Sequence, residues 1–218
     1  MRTLFALILS VAASAAAHGQ AFTNLGFEEA TQVPGTPGLQ VLSWDTAVPG
    51  WGHSVGADVV YYSGTHVGLP QWFQLLDTAI QPGAVLAGSY SLQFASGYDG
   101  NSTSGNWVNA FVSQTGSVPL DARSLTLLAT GPLGIAVNGT DIPLIHLGGW
   151  AYGIDISSYA GQVVELKFIN TSSTLFDAVT LDNIAFSTSP VPEPPIWLLL
   201  SLASALAVLR GRRRTEVG

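Results

Sequence analysis

The stretch Gly134-Ile135-Ala136-Val137-Asn138-Gly139-Thr140-Asp141-Ile142-Pro143-Leu144-Ile145-His146 decides how the rest of the chain is read. Two short apolar, β-branched runs flank an Asn-Gly pair. Those two residues tolerate the positive φ that a two-residue hairpin turn demands. Outward from this hairpin the same texture repeats. Strands are expected at 58–62, 90–95, 107–114, 124–129, 134–137, 142–146, 163–169 and 179–187, punctuated by Gly, Ser, Thr and Asn. Residues 71–80 read either as a short helix or as a solvated loop. No long stretch carries the 3.6-residue apolar period of an amphipathic helix. The expectation is an all-β, antiparallel sandwich.

Composition narrows the function. The chain has 218 residues, 47% hydrophobic and 10% charged, with a mean hydropathy of +0.37. An ordinary soluble domain carries about 25% charged residues. Two apolar ends account for part of the deficit, leaving one domain at 22–189, long enough to bury a core. Inside it only Arg123 and Lys167 are basic, against twelve Asp and Glu. Such a surface repels phosphate backbones, so no nucleic-acid partner is expected. It suits divalent cations and neutral polar ligands such as sugars, or serves solubility alone. The sequence holds no cysteine, which excludes disulfides, thiolate metal sites and cysteine nucleophiles.

Both ends read as targeting segments. Met1-Arg2-Thr3, an apolar run from Leu4 to Val11 and the small residues Ala12 to Ala17 make a secretory signal peptide at 1–17, with cleavage as late as residue 21. At the other end, Val191-Pro192-Glu193-Pro194-Pro195 precedes an apolar run from Ile196 to Leu209, then Arg210, Arg212, Arg213 and Arg214. The prolines keep the peptide extended and accessible. The apolar run prefers lipid as a transmembrane helix, and the arginines act as a stop-transfer signal on the cytoplasmic side. Fourteen helical residues reach only about 21 Å, short of a ~30 Å hydrocarbon core, which suits a transient anchor.

These three parts, in this order over 190–214, resemble the PEP-CTERM sorting domain. The resemblance implies recognition of Pro192, Glu193 and Pro194 by an exosortase-type processing enzyme, transient residence in the inner membrane, and delivery to the cell surface or extracellular matrix. A second resemblance covers most of 22–187. Asn24-Leu25-Gly26-Phe27-Glu28, Ile154-Asp155-Ile156-Ser157-Ser158-Tyr159-Ala160-Gly161-Gln162 and Leu181-Asp182-Asn183-Ile184 are similar in kind and order to motifs of galactose-binding-like jelly rolls, many of them carbohydrate-binding modules. There the first motif is an opening strand near the closing one. A structural Ca²⁺ often sits where they meet, which places Glu28 and Asp182 as ligands by motif, with backbone carbonyls completing the 6–8 oxygens a calcium ion takes. The competing reading has both acids capping loops.

Five tryptophans, Trp44, Trp51, Trp72, Trp107 and Trp150, fall in the domain. Indole faces stack on the C–H faces of pyranoses while Asn, Gln and Asp bond the hydroxyls; equally, tryptophans fill cores. Tyr98, Asp99, Asn101 and Trp107 have the composition of a sugar-binding loop, and Trp72 marks a second candidate. Gly52-His53-Ser54-Val55-Gly56 matches G-x-S-x-G literally but lacks the strand–turn–helix setting of a nucleophile elbow. No catalytic residue is therefore expected. The sequence favours a non-enzymatic exported protein in contact with exopolysaccharide. A glycan-active hydrolase and a purely structural matrix protein are the alternatives.

Overall fold

A computed structural model describes residues 20–31, 40–54, 59–62, 71–98 and 105–191. The signal peptide, the Pro192–Pro194 motif, the apolar run and the arginine cluster lie outside the described residues. Among those described, the chain is all-β apart from one helical turn, α1 (Trp44–Ala47), and a 3-10 turn at Ser157–Tyr159.

The strands are β1 (Gln40–Ser43), β2 (Gly52–His53), β3 (Val59–Tyr62), β4 (Trp72–Asp77), β5 (Tyr90–Ala95), β6 (Gly97–Tyr98), β7 (Trp107–Val108), β8 (Phe111–Ser117), β9 (Ser124–Thr130), β10 (Leu133–Val137), β11 (Thr140–Ile142), β12 (Ile145–Gly148), β13 (Ala151–Asp155), β14 (Val163–Asn170) and β15 (Ala178–Ser187). An eight-stranded sheet runs in the order β1-β3-β4-β5-β15-β9-β13-β12, and a five-stranded sheet in the order β11-β10-β14-β8-β2. β6 and β7 form a separate two-stranded ladder.

Period-two patterning places the core between the two large sheets. On β14, Val164, Leu166 and Phe168 are buried while Glu165 and Lys167 alternate outward. On β9, Leu125, Leu127 and Ala129 point inward in the same way. Trp51 joins the layers, its ring 5.4 Å from Phe27 and 5.8 Å from Phe168. Full burial of each such side chain contributes roughly 1.5–3 kcal/mol. The expected Asn-Gly hairpin is present: Asn138 (φ 49°) and Gly139 (φ 77°) turn β10 into β11 with Val137 opposite Thr140.

Three expectations are corrected. Residues 71–80 are neither helix nor solvated loop; β4 lies there, buried on both faces. The sheets are not wholly antiparallel, because β3 and β4 pair in parallel with Tyr61 opposite Gln74. Nine residues separate Tyr62 from Trp72, enough chain to return along a four-residue strand of about 13 Å. Asn24–Glu28 is a turn rather than an opening strand: Asn24 (φ 49°) and Phe27 (φ 58°) are both left-handed, and the Phe27 N–H donates to the Asn24 carbonyl at 3.2 Å.

The chain packs tightly at both ends of this sheet's central strands. Gly131 (φ +80°) follows β9, and a Cβ there would lie 2.1 Å from the Ala178 carbonyl oxygen. After β15 the chain does not swing free. The Ser124 hydroxyl donates to the Ser189 carbonyl at 2.8 Å. Val191 is buried, and a Cβ on Gly153 of β13 would meet both Leu147 Cδ1 at 3.2 Å and Val191 Cγ2 at 3.3 Å.

Candidate functional site

The turn at Asn24–Glu28 and strand β15 do meet. The Ile184 N–H donates to the Leu25 carbonyl at 3.0 Å, at a register shift in β15 where Asn183 (φ 46°) is left-handed. Asp182 lies one residue beyond the Leu181–Leu92 pair of β15 and β5, opposite Ser91, and so faces the loop that follows β4. Asp182 is 1% exposed. Its Oδ2 accepts from the Ala87 N–H at 2.9 Å and the Ser91 hydroxyl at 2.6 Å, and its Oδ1 from the Asn183 N–H at 2.6 Å. Glu28 Oε1 accepts from the Ser89 and Tyr90 N–H groups at 2.8 and 3.1 Å. Both carboxylates thus grip the same loop. Gly88 allows the approach: its φ is +62°, and a Cβ would sit 2.1 Å from Glu28 Oε1.

Burial raises the Asp182 carboxyl above the ordinary aspartate range, its hydrogen bonds oppose that, and the Glu28 charge pushes it further up. Two hard, anionic oxygen donors that repel each other suit a divalent cation in charge and donor type. The side chains alone fall short of a full coordination shell, and among the described residues no group of three or more His, Asp or Glu converges. Sequence reasoning finds Glu28 and Asp182 but misses Ser91, a lone serine at a strand start. It also misses the Ala87–Tyr90 backbone, which no composition signal marks.

The tryptophans divide. Trp44 and Trp51 are core residues, with indole N–H groups bonded to the Trp51 and Asn24 carbonyls. Trp72, expected at a second sugar site, is corrected to a packing residue: at 7% exposure on doubly buried β4 it offers no open ring face. Tyr98 and Trp107 sit opposite each other on the β6–β7 ladder, half-buried, their rings edge to face at 5.5 Å. The Trp107 indole donates to Asn109 Oδ1 at 3.2 Å, a partner the sequence reading passes over. Asp99 and Asn101, between these strands, lie outside the described residues. Trp150, by contrast, is 53% exposed at the β12–β13 turn.

Ser54, centre of the G-x-S-x-G match, is 1% exposed and donates to Gln71 Oε1 at 2.6 Å. Neighbouring His53 turns Nδ1 to the Ser54 carbonyl, not to its hydroxyl, and packs its ring on Trp44 at 4.2 Å. A buried hydroxyl with an amide acceptor and, among the described residues, no base bonded to it is placed as a structural serine. An open depression of about 500 Å³ is lined by Leu120, Asp121, Ala122, Arg123, Ser157 and Ala160 among others. Hydrogen bonds from Ser157, assisted by nearby Arg123, hold the Asp155 carboxyl below its usual range.

No protein-family model matches the chain, and no curated protein matches it. Among solved structures, the apo form of a cyclase from Fischerella sp. is similar at a TM-score of 0.40 and 16% identity, covering 76% of this chain and 93% of that one.

Proposed function

We propose that this chain is a non-enzymatic, jelly-roll β-sandwich protein, exported behind an N-terminal signal peptide. A PEP-CTERM tail with a transmembrane helix sorts it to the cell surface or extracellular matrix, where it contacts polysaccharide. The observation that carries the binding part is the Tyr98–Trp107 pair, which keeps two aromatic rings half-exposed beside an Asn- and Ser-rich segment while Trp44, Trp51 and Trp72 are used in packing. Aromatic rings so placed offer stacking area to a sugar at low entropic cost. The tail part is supported by the order of its three sequence elements.

In this reading Glu28 and Asp182 hold a structural Ca²⁺ when one is bound, and the ion neutralises a pair of carboxylates that otherwise repel. The chain's own contribution is to clamp the Ala87–Tyr90 loop against the Asn24–Glu28 turn.

Affinity electrophoresis through gels carrying neutral bacterial polysaccharides tests the binding. Trp107→Ala should weaken retardation about tenfold, equivalent to roughly 1.4 kcal/mol of lost stacking. Equal migration of wild type and variant in every glycan gel that retards the protein would remove the pair from the binding surface. No retardation in any gel would favour the purely structural matrix protein.

A further inference from the structure

We propose that the tip of the β12–β13 hairpin, carrying Leu147 and Trp150, rests in the headgroup layer of the bilayer that holds the tail. This inference rests on the reading of residues 196–209 as a membrane anchor. What it adds is a lipid-facing surface on the folded domain.

The placement follows from where the described chain ends. Val191 lies against Gly153, beside Leu147, at the edge of the eight-stranded sheet. Five residues later the apolar segment begins at Ile196. Five extended residues span at most about 17 Å. Val191 is itself held, through Ser189 and Ser124, against the body of the sandwich. The start of the anchor therefore stays within that reach of the hairpin, whatever path the intervening residues take.

The hairpin has the surface chemistry of an interfacial contact. Leu147 is 38% and Trp150 53% exposed, two of the six large apolar side chains left in solvent among the described residues, and Trp150 is the one tryptophan among them. Single exposed apolar residues need no explanation, but an exposed Leu and Trp on one hairpin, beside the residue that leads into the proposed anchor, do. Tryptophan partitions to the headgroup level, where its apolar ring and its N–H are both satisfied. Gly148 (φ 116°) and Gly149 (φ 57°) make a side-chain-free turn that lets the tip approach a flat surface closely.

The test uses the full chain with its tail, reconstituted in phosphatidylcholine vesicles whose acyl chains are brominated either near the headgroup or near the terminal methyl. Subtracting the emission of Trp150→Phe from wild type isolates Trp150 from the other tryptophans, Trp197 of the tail included. The Trp150 contribution should fall about twofold with the shallow label and less with the deep one, as expected for an indole at the interface. Unaltered Trp150 emission in protein that floats with the vesicles overturns the hairpin contact and leaves the anchor reading standing. Protein that fails to float with vesicles at all overturns both. Shielding of Trp150 from aqueous acrylamide that follows protein density in the vesicles, with no effect of brominated lipid, assigns the tip to a second copy of the chain and also overturns the proposal. Leu147→Gln, which adds no charge and leaves Trp150 in place, should reduce the quenching without changing flotation.

Discussion

Replacing Asp182 by Asn tests the acidic clamp most directly, because it removes charge while keeping shape. The carboxyl is buried, and burial first, the Glu28 charge further, raise its pKa above the ordinary aspartate value. The folded state therefore holds the Asp182 proton more tightly than the unfolded chain does. The stability this group contributes is full below the unfolded value near 3.9 and is lost as pH rises through the raised folded value. Where folded and unfolded states differ by one proton, stability changes by at most about 1.4 kcal/mol per pH unit. For a domain of this size that is about 3–6 °C in Tm per unit. The carboxamide of the variant cannot titrate. Thermal unfolding of wild type and Asp182→Asn in calcium-free buffer from pH 4 to 8 should give a Tm difference, wild type minus variant, that declines as pH rises above 4. Asp155 pulls the opposite way, since its carboxyl is lowered and its contribution is lost on acidification, but it is common to both proteins and cancels. Saturating Ca²⁺ should flatten the wild-type curve by neutralising the pair. Two curves that run parallel across the whole range would refute the reasoning, whatever their separation. Asp182→Ala sets the scale of the hydrogen bonds. It orphans the Ala87 and Asn183 N–H groups and the Ser91 hydroxyl, about 1 kcal/mol each and about 3 kcal/mol together.

Three further outcomes are expected. A chelator should lower the Tm of wild type at pH 8 but leave Asp182→Asn unmoved, and an unchanged wild-type melt would discard the calcium reading. Gly131→Ala should cost at least about 2 kcal/mol, because its Cβ would meet the Ala178 carbonyl and its φ is +80°; a denaturant midpoint equal to wild type would show that the β9–β10 turn relaxes at no cost. Replacing Glu193 by Ala, or deleting Arg210 to Arg214, should leave an unprocessed, membrane-bound precursor on an immunoblot, and normal release of either variant would contradict the sorting role.

The parts of this fold that can be read from the chain are those where one sheet face is buried and the other is wet. β9 and β14 alternate strictly, and Asn138-Gly139 names its own turn, so the expected strands there match the observed ones within a residue or two. β4 escapes for the opposite reason. Trp72, Gln74 and Leu76 are buried on one face as Phe73 and Leu75 are on the other, so no alternation survives. β13 goes unnoticed because Gly153 interrupts it and its apolar residues run into the Ile154–Gln162 motif, which reads as a loop. Glu28 and Asp182 pair by motif, and the structure brings them to one loop. The Ser91 hydroxyl that donates to Asp182 there is invisible in sequence, because only the pairing of β15 with β5, residues distant in the chain, sets the two opposite each other. Trp150 and Trp51 are equally anonymous as letters; tertiary placement alone makes Trp51 a core residue and Trp150 a surface one.

The position of β15 has a consequence for how the molecule is made. It is the last strand among the described residues yet lies inside the eight-stranded sheet, between β5 and β9, supplying Val179 and Leu181 to the core. Until residues 178–187 have been made, the two halves of that sheet cannot pair through β15, and β5 and β9 lack the strand that lies between them. Only residues 188–195 then separate the closing stroke from the start of the apolar tail. On the proposed reading of residues 196–209 as an anchor, closure of the sheet and arrival at the membrane fall close together in the chain's passage.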